Sequence, residues 1–120
     1  MRKVKATNPE LIELILFLKR QSNTNNAKIW RSVAELLAKA KRRRLTVNVS
    51  RLNRYTKKNE TVAVPGKVLG AGRIDHPIKV AAFTFSEKAE TKITAAKGKC
   101  LSFFDLVKKN PKGSNVKIIG

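Results

Sequence analysis

The sequence is short of the groups that catalysis and cross-linking need. It holds one cysteine, one histidine and two aspartates. With Cys100 alone no intramolecular disulfide can form, so the fold is expected to stand by packing, as in a reducing compartment. His76 and Cys100 cannot by themselves assemble a Cys/His metal site. Asp75 and His76 are neighbours in a Gly/Pro-rich turn, which does not make them a catalytic dyad, and His76 is read as a turn residue contacting backbone or phosphate. No cofactor is expected. Long apolar runs are also missing. The longest block, residues 14–18, is far short of the roughly 20 apolar residues of a bilayer span. The opening "MRKVKATNPE" carries charge but no apolar run before Leu11, so neither a secretory signal nor a membrane segment is expected.

Acidic residues are the largest shortage. Eight stand against 27 Lys and Arg in 120 residues, a formal net charge of +19. A fold gains nothing from self-repulsion on that scale, and solubility needs far less, so the balance points to a polyanion partner. Residues 41–58 concentrate it: Lys41, Arg42, Arg43, Arg44, Arg51, Arg54, Lys57 and Lys58 stand among eighteen residues without one acid. At the end of a helix the macrodipole favours one or two cations, not four in a row. Lys and Arg neutralise phosphates and release counterions, and Arg lies flat on bases. Tyr55 reads equally as a base-stacking ring or as the edge of a core. Asn48 and Asn53 can add neutral hydrogen bonds.

Composition is otherwise that of a folded chain, 42% hydrophobic, and the length fits one domain. A basic arm covers residues 1–7. Asn8-Pro9-Glu10 reads as N-cap, first helical position and dipole-matched acid, opening a helix over 9–21 that is apolar on nearly every side and so buried on nearly every side. Polar "SNTNN" (22–26) is expected to break it. A second helix over 27–41 follows, with Ile29, Trp30, Val33, Leu36, Leu37 and Ala40 on its apolar face, and the two form an antiparallel hairpin. "LTVNV" (45–49) alternates like a strand, and Ser50 is expected to cap a turn carrying Arg51 and Arg54. "TVAVPGKVLGAG" reads as strand, turn, strand, with Pro65-Gly66 as the turn. "PIKVAAFTF" (77–85) reads as a buried strand. Helices are expected over 86–98, capped by Ser86 and stopped by Gly98, and over 102–111, where Ser102 and Asp105 stand as in a capping box. "KCLS" and "NVKIIG" read as short strands. The repeated strand-then-helix order argues an α/β layer with some parallel pairing.

"GKVLGAGR" (66–73) fails as a phosphate loop. It offers no Ser or Thr for magnesium, it lacks the third glycine of a dinucleotide fingerprint, and "IDHP" follows where a helix should start. Its glycines are read instead as allowing positive φ and a close backbone approach, with Lys67 and Arg73 flanking the turn toward RNA.

The segments "NPELIELILFLKRQSNTNNAKIWRSVAELLAKAKRRR", "VNVSRLNRYT" and "VAVPGKVLGAGRIDHPIKVAAFTFSEKAETKI" closely resemble one family: the archaeal and eukaryotic large-subunit ribosomal protein eighteen, e-type, related to bacterial large-subunit ribosomal protein fifteen, in its compact archaeal form. The resemblance runs from Asn8 to Gly120. It implies a structural, non-enzymatic constituent of the cytoplasmic large ribosomal subunit. The implied fold is α/β: an N-terminal helix pair (8–41) and a basic extended segment (41–60), followed by a β-β-α superhelical core (61–120). The implied partners are large-subunit ribosomal RNA and neighbouring ribosomal proteins, with no homo-oligomer. The implied RNA-binding positions are Lys41, Arg42, Arg43, Arg44, Arg51, Arg54, Lys57 and Lys58, and the glycine turn with Lys67 and Arg73; Tyr55, from its own place amid the charges, is added to them as a stacking candidate. The rival readings are a DNA-binding or chromatin protein, a small enzyme acting on RNA, and a binder of anionic membranes.

Overall fold

The computed structural model describes residues 9–39 and 45–120. In chain order the described elements are helix α1 (Pro9–Asn25), helix α2 (Lys28–Leu37), strand β1 (Leu45–Asn48), helix α3 (Val49–Tyr55), strands β2 (Thr61–Leu69) and β3 (Lys79–Phe85), helix α4 (Glu87–Ala95), strand β4 (Lys99–Leu101), helix α5 (Phe103–Lys109) and strand β5 (Val116–Ile118). The basic arm, the Asn8 cap and the run Lys41, Arg42, Arg43 and Arg44 lie outside the described residues.

α1 runs four residues past its expected end. "SNTNN" does not break it, because Ser22 turns into the core and the Asn25 amide donates to Gln21 Oε1 at 3.0 Å, one turn back on the same face. The helix stops at Asn26, which takes a left-handed φ of 52°, a conformation that Asn tolerates at a helix end. The link to α2 is therefore two residues long. Leu11, Leu14, Ile15 and Leu18 of α1 pack with Trp30, Val33, Ala34 and Leu37 of α2; each fully buried Leu contributes about 1.5–3 kcal/mol. The other side of α1 is less enclosed than its apolar run predicts, and Leu16 is half exposed.

The strands form one five-stranded sheet in the order β1-β2-β3-β4, with β5 also paired to β2 and every pairing parallel. The expected turn at Pro65-Gly66 is instead the middle of one continuous strand. β3 runs along one edge of β2, with a register shift between Val64 and Lys67. On the opposite edge β5 pairs with Thr61–Ala63 and β1 with Gly66–Leu69. Pro65 sits in the gap between those two partners, where its missing N–H leaves no ladder bond unmade. Gly66 is needed for space: a Cβ there would lie 2.2 Å from the Leu45 carbonyl oxygen of β1.

Alternation along β2 and β3 divides the interior into two cores. Ala63 and Ala81 face α1, α2 and α5, leaving room for Trp30 and Phe103. Val62, Val64, Val80 and Ala82 face α3 and α4, against Val49, Leu52, Ala89 and Ile93. The sheet is thus covered by helices on both sides, as parallel sheets require. Ser86 caps α4 by accepting from the Ala89 N–H, and Ser102 caps α5 by accepting from the Asp105 N–H, both at 3.0 Å. The left-handed stop of α4 falls at Lys97, φ 69°, one residue before the expected Gly98.

Candidate nucleic-acid interface

The described part of the basic stretch builds β1 and α3. Its apolar residues Val47, Val49 and Leu52 are buried, which turns Arg51, Arg54 and Tyr55 outward. Ser50 does not cap this helix. Asn48 holds the N-cap position, and Ser50 stands inside the first turn with its N–H donating to the Ala71 carbonyl at 3.2 Å.

The glycine loop, residues 70–76, is docked on α3. Asn48 Oδ1 accepts from the Ala71 N–H at 3.2 Å, and Asn53 Oδ1 accepts from the Asp75 N–H at 3.1 Å. Both Asn side chains can add neutral hydrogen bonds by type, and here their oxygens tie two parts of the chain together. Gly72 has φ 90°, and a Cβ on it would lie 2.3 Å from Ser50 Cβ, so the close approach its glycines allow is to the protein's own helix. From the other side Lys92 of α4 donates to the carbonyl oxygens of Gly70, at 2.7 Å, and Gly72. Lys92 gave no signal in the sequence beyond one charge on a helix.

Asp75 and His76 do come together, at 3.1 Å between Oδ1 and Nδ1. The other ring nitrogen, Nε2, is 2.7 Å from Thr56 Oγ1, whose hydroxyl lies 2.7 Å from the Leu52 carbonyl. The Asp75 carboxyl is held below its ordinary value, first by the hydrogen bond from His76, with Arg73 and Asn53 adding to it. The chain His76–Thr56–Leu52 is a second tie between the loop and α3.

Arg51 and Arg54 flank Tyr55. Their guanidinium carbons lie 5.1 and 6.0 Å from its ring centre, within reach of a cation–π contact. Tyr55 is 49% exposed, so part of it stays open to solvent beside the two arginines. Arg51 also donates to the Gly120 carbonyl at 2.9 Å. Lys117, on β5, adds a cation that sequence reading missed. It bonds the Tyr55 carbonyl at 3.0 Å and the Glu60 carboxylate at 3.2 Å. The Glu60 carboxyl is lowered, chiefly by the Lys57 backbone N–H and then by Lys117. Lys57 and Lys58 are exposed in the turn after α3. Lys67 is exposed on β2 in register with Thr46 and Thr84, and Arg73 is exposed in the loop; neither belongs to the Arg51–Tyr55–Arg54 contact.

Among the described residues no group of three His, Cys, Asp or Glu is placed to hold a metal ion, and no helix is long and apolar enough to cross a membrane. The arrangement can bind an anionic polymer by charge and by ring stacking.

Residues 2–120 match the family model described as ribosomal protein 60S L18 and 50S L18e. The chain belongs to this family. It is 51% identical over 118 residues to the large ribosomal subunit protein eL18 of Methanoregula boonei, with 98% of each chain covered. The protein of that name from Archaeoglobus fulgidus is 50% identical over 116 residues, covering 97% of this chain and 99% of its own. That of Methanococcus maripaludis is 48% identical over 119 residues, covering 99% of both. The family is one of structural ribosomal proteins, not of enzymes.

Proposed function

We propose that this chain is a structural constituent of the large ribosomal subunit, in the cytoplasm, where it binds ribosomal RNA and lets RNA helices pack by neutralising their phosphates. The observation that carries this reading is the division of labour in residues 41–58. The apolar side chains Val47, Val49 and Leu52 are buried, while the described cations Arg51, Arg54, Lys57 and Lys58 are exposed. Four further cations, Lys41 to Arg44, stand just before them in the sequence. A-form grooves hide base edges, so recognition is mainly of shape and backbone. Tyr55 stands between Arg51 and Arg54, Lys67 and Arg73 are further exposed cations for RNA, and neighbouring large-subunit proteins are the other partners. The succession β2, β3, α4 supports the β-β-α core of the family, and α1 with α2 supports its N-terminal helix pair, together one ribosomal-protein domain.

The experiment is a salt titration of binding to a large-subunit ribosomal RNA transcript. Each phosphate contact removed flattens the slope of log K against log salt by about 0.7–0.9. Changing Arg42, Arg43 and Arg44 together to Ala, or Arg51 with Arg54, is expected to flatten it while melting stays cooperative. Unchanged slopes in both variants would contradict the proposal. Competition with duplex DNA separates it from a chromatin role; equal affinity for DNA would favour the latter.

A further inference from the structure

On the far side of the sheet from α3, we propose, a groove between α1 and α5 takes an unpaired RNA base, making a second RNA contact; this inference rests on the RNA-binding reading above. The groove encloses about 360 Å³. Phe17 and Phe104 form one wall, their ring centres 4.6 Å apart and their planes inclined by 46°. Phe104 is 42% exposed although its neighbour Phe103 is buried. Single exposed apolar residues need no explanation. An aromatic pair opening onto a groove, in a chain of this charge, is a different matter.

Three parts of the groove answer to three parts of a nucleotide. The phenyl faces offer a stacking surface, which every base can use. Gln21 and Asn25 line the groove beside them. The bond between these two amides uses one donor and one acceptor, leaving further donor and acceptor capacity for a base edge. Lys108 lines the groove, and the Lys112 ammonium bonds the backbone carbonyl of the lining residue Asn25 at 3.1 Å, so two cations are available to a phosphate. Among the described residues lining it none is acidic. Pro111 closes the end, and its carbonyl accepts from the Trp30 indole at 2.7 Å, which fixes that wall to the buried core. A protein partner would be matched by the apolar wall alone; the paired amides and the two ammonium groups favour a nucleotide.

The test uses the full chain and a labelled, unstructured RNA of roughly ten nucleotides. Phe104→Ala is expected to weaken binding by about five- to hundredfold, Phe104→Leu to behave like Phe104→Ala, and Phe104→Trp to bind at least as tightly as the unaltered chain. The salt slope should stay the same in all three, since no charge is lost. Short-wave ultraviolet light should cross-link the RNA to the peptide carrying Phe104. Unaltered affinity in Phe104→Ala, with binding still lost in the Arg51→Ala, Arg54→Ala double variant, would overturn the groove and leave the proposed function standing. Failure of the unaltered chain to bind any RNA would remove both. A benzophenone amino acid placed at position 104 in assembled large subunits should label RNA; labelling of a protein instead would also overturn the proposal. Melting curves accompany each variant, and if Phe104→Ala unfolds, the Leu and Trp variants decide.

Discussion

The Lys92 ammonium lies 2.7 Å from the carbonyl oxygen of Gly70, 22 residues earlier in the chain. It also bonds Gly72, so a single cation closes the glycine loop against α4. Lys92 is thereby a cation turned to internal use, bridging two carbonyls of one loop.

Lys92→Met is expected to free both carbonyls and destabilise the protein by about 1.5–3 kcal/mol, the range for hydrogen bonds made by a charged group. Amide exchange at Ala71 to Arg73 should accelerate. RNA affinity should fall with an unchanged salt slope, because Lys92 positions the loop and touches no phosphate. A slope reduced by about one would show instead that it contacts RNA directly.

Gly72→Ala meets two penalties at once. Its φ of 90° disfavours a side chain, and the new Cβ would collide with Ser50. The expected loss is about 2–4 kcal/mol by chemical denaturation, from backbone strain and overpacking together. Adding Ser50→Gly should recover the packing part alone. Full recovery in the double variant would mean that the φ carries no cost.

Acid should loosen the loop in a defined window. The Asp75 carboxyl is lowered by the hydrogen bond from His76. A depressed folded value means that the stabilisation is complete above the ordinary value of 3.8 and is lost as pH falls through the lower folded one. Exchange of the amides of residues 74–76 should therefore stay slow down to the ordinary carboxylate range and rise below it. Asp75→Asn should abolish that rise; its persistence would assign the effect to Glu60, which is shifted in the same direction.

Cys100 should react slowly. Partial burial, with Glu90 nearby, pushes its thiol from 9.0 up to about 11. Near pH 8 the thiolate fraction, and with it alkylation by iodoacetamide, should be roughly a hundredfold below that of the unfolded chain. Equal rates for native and denatured protein would refute this.

Signals that act within one or two turns were legible in the sequence. Ser86 and Ser102 cap where their spacing said they would, and the strand expected over 77–85 forms over 79–85. The readings that failed depend on neighbours distant in the chain. Pro65-Gly66 carries every mark of a turn, and only the arrival of β1 and β5 on one edge of β2 makes a bulged strand of it. "SNTNN" looks like a breaker until Ser22 is seen to face the core. Arg51, Arg54 and Tyr55 were singled out by charge and type, and the structure brings them together. Lys92 and Lys117 were not, since Lys92 bonds only backbone carbonyls, which carry no mark in the sequence, and the partners of Lys117, the Tyr55 carbonyl and Glu60, lie far from it along the chain. Asn48 and Asn53 were noticed as hydrogen-bonding amides without their loop partners, because an amide suits a ligand and a loop equally well.

β5 lies beside Thr61–Ala63, yet it is made last of the strands. During synthesis the first half of β2 therefore waits with one side bare until residues 116–118 have emerged. A nascent chain stalled before that point would present an open template for stray strands, and so would depend on prompt completion or on a chaperone to shield it.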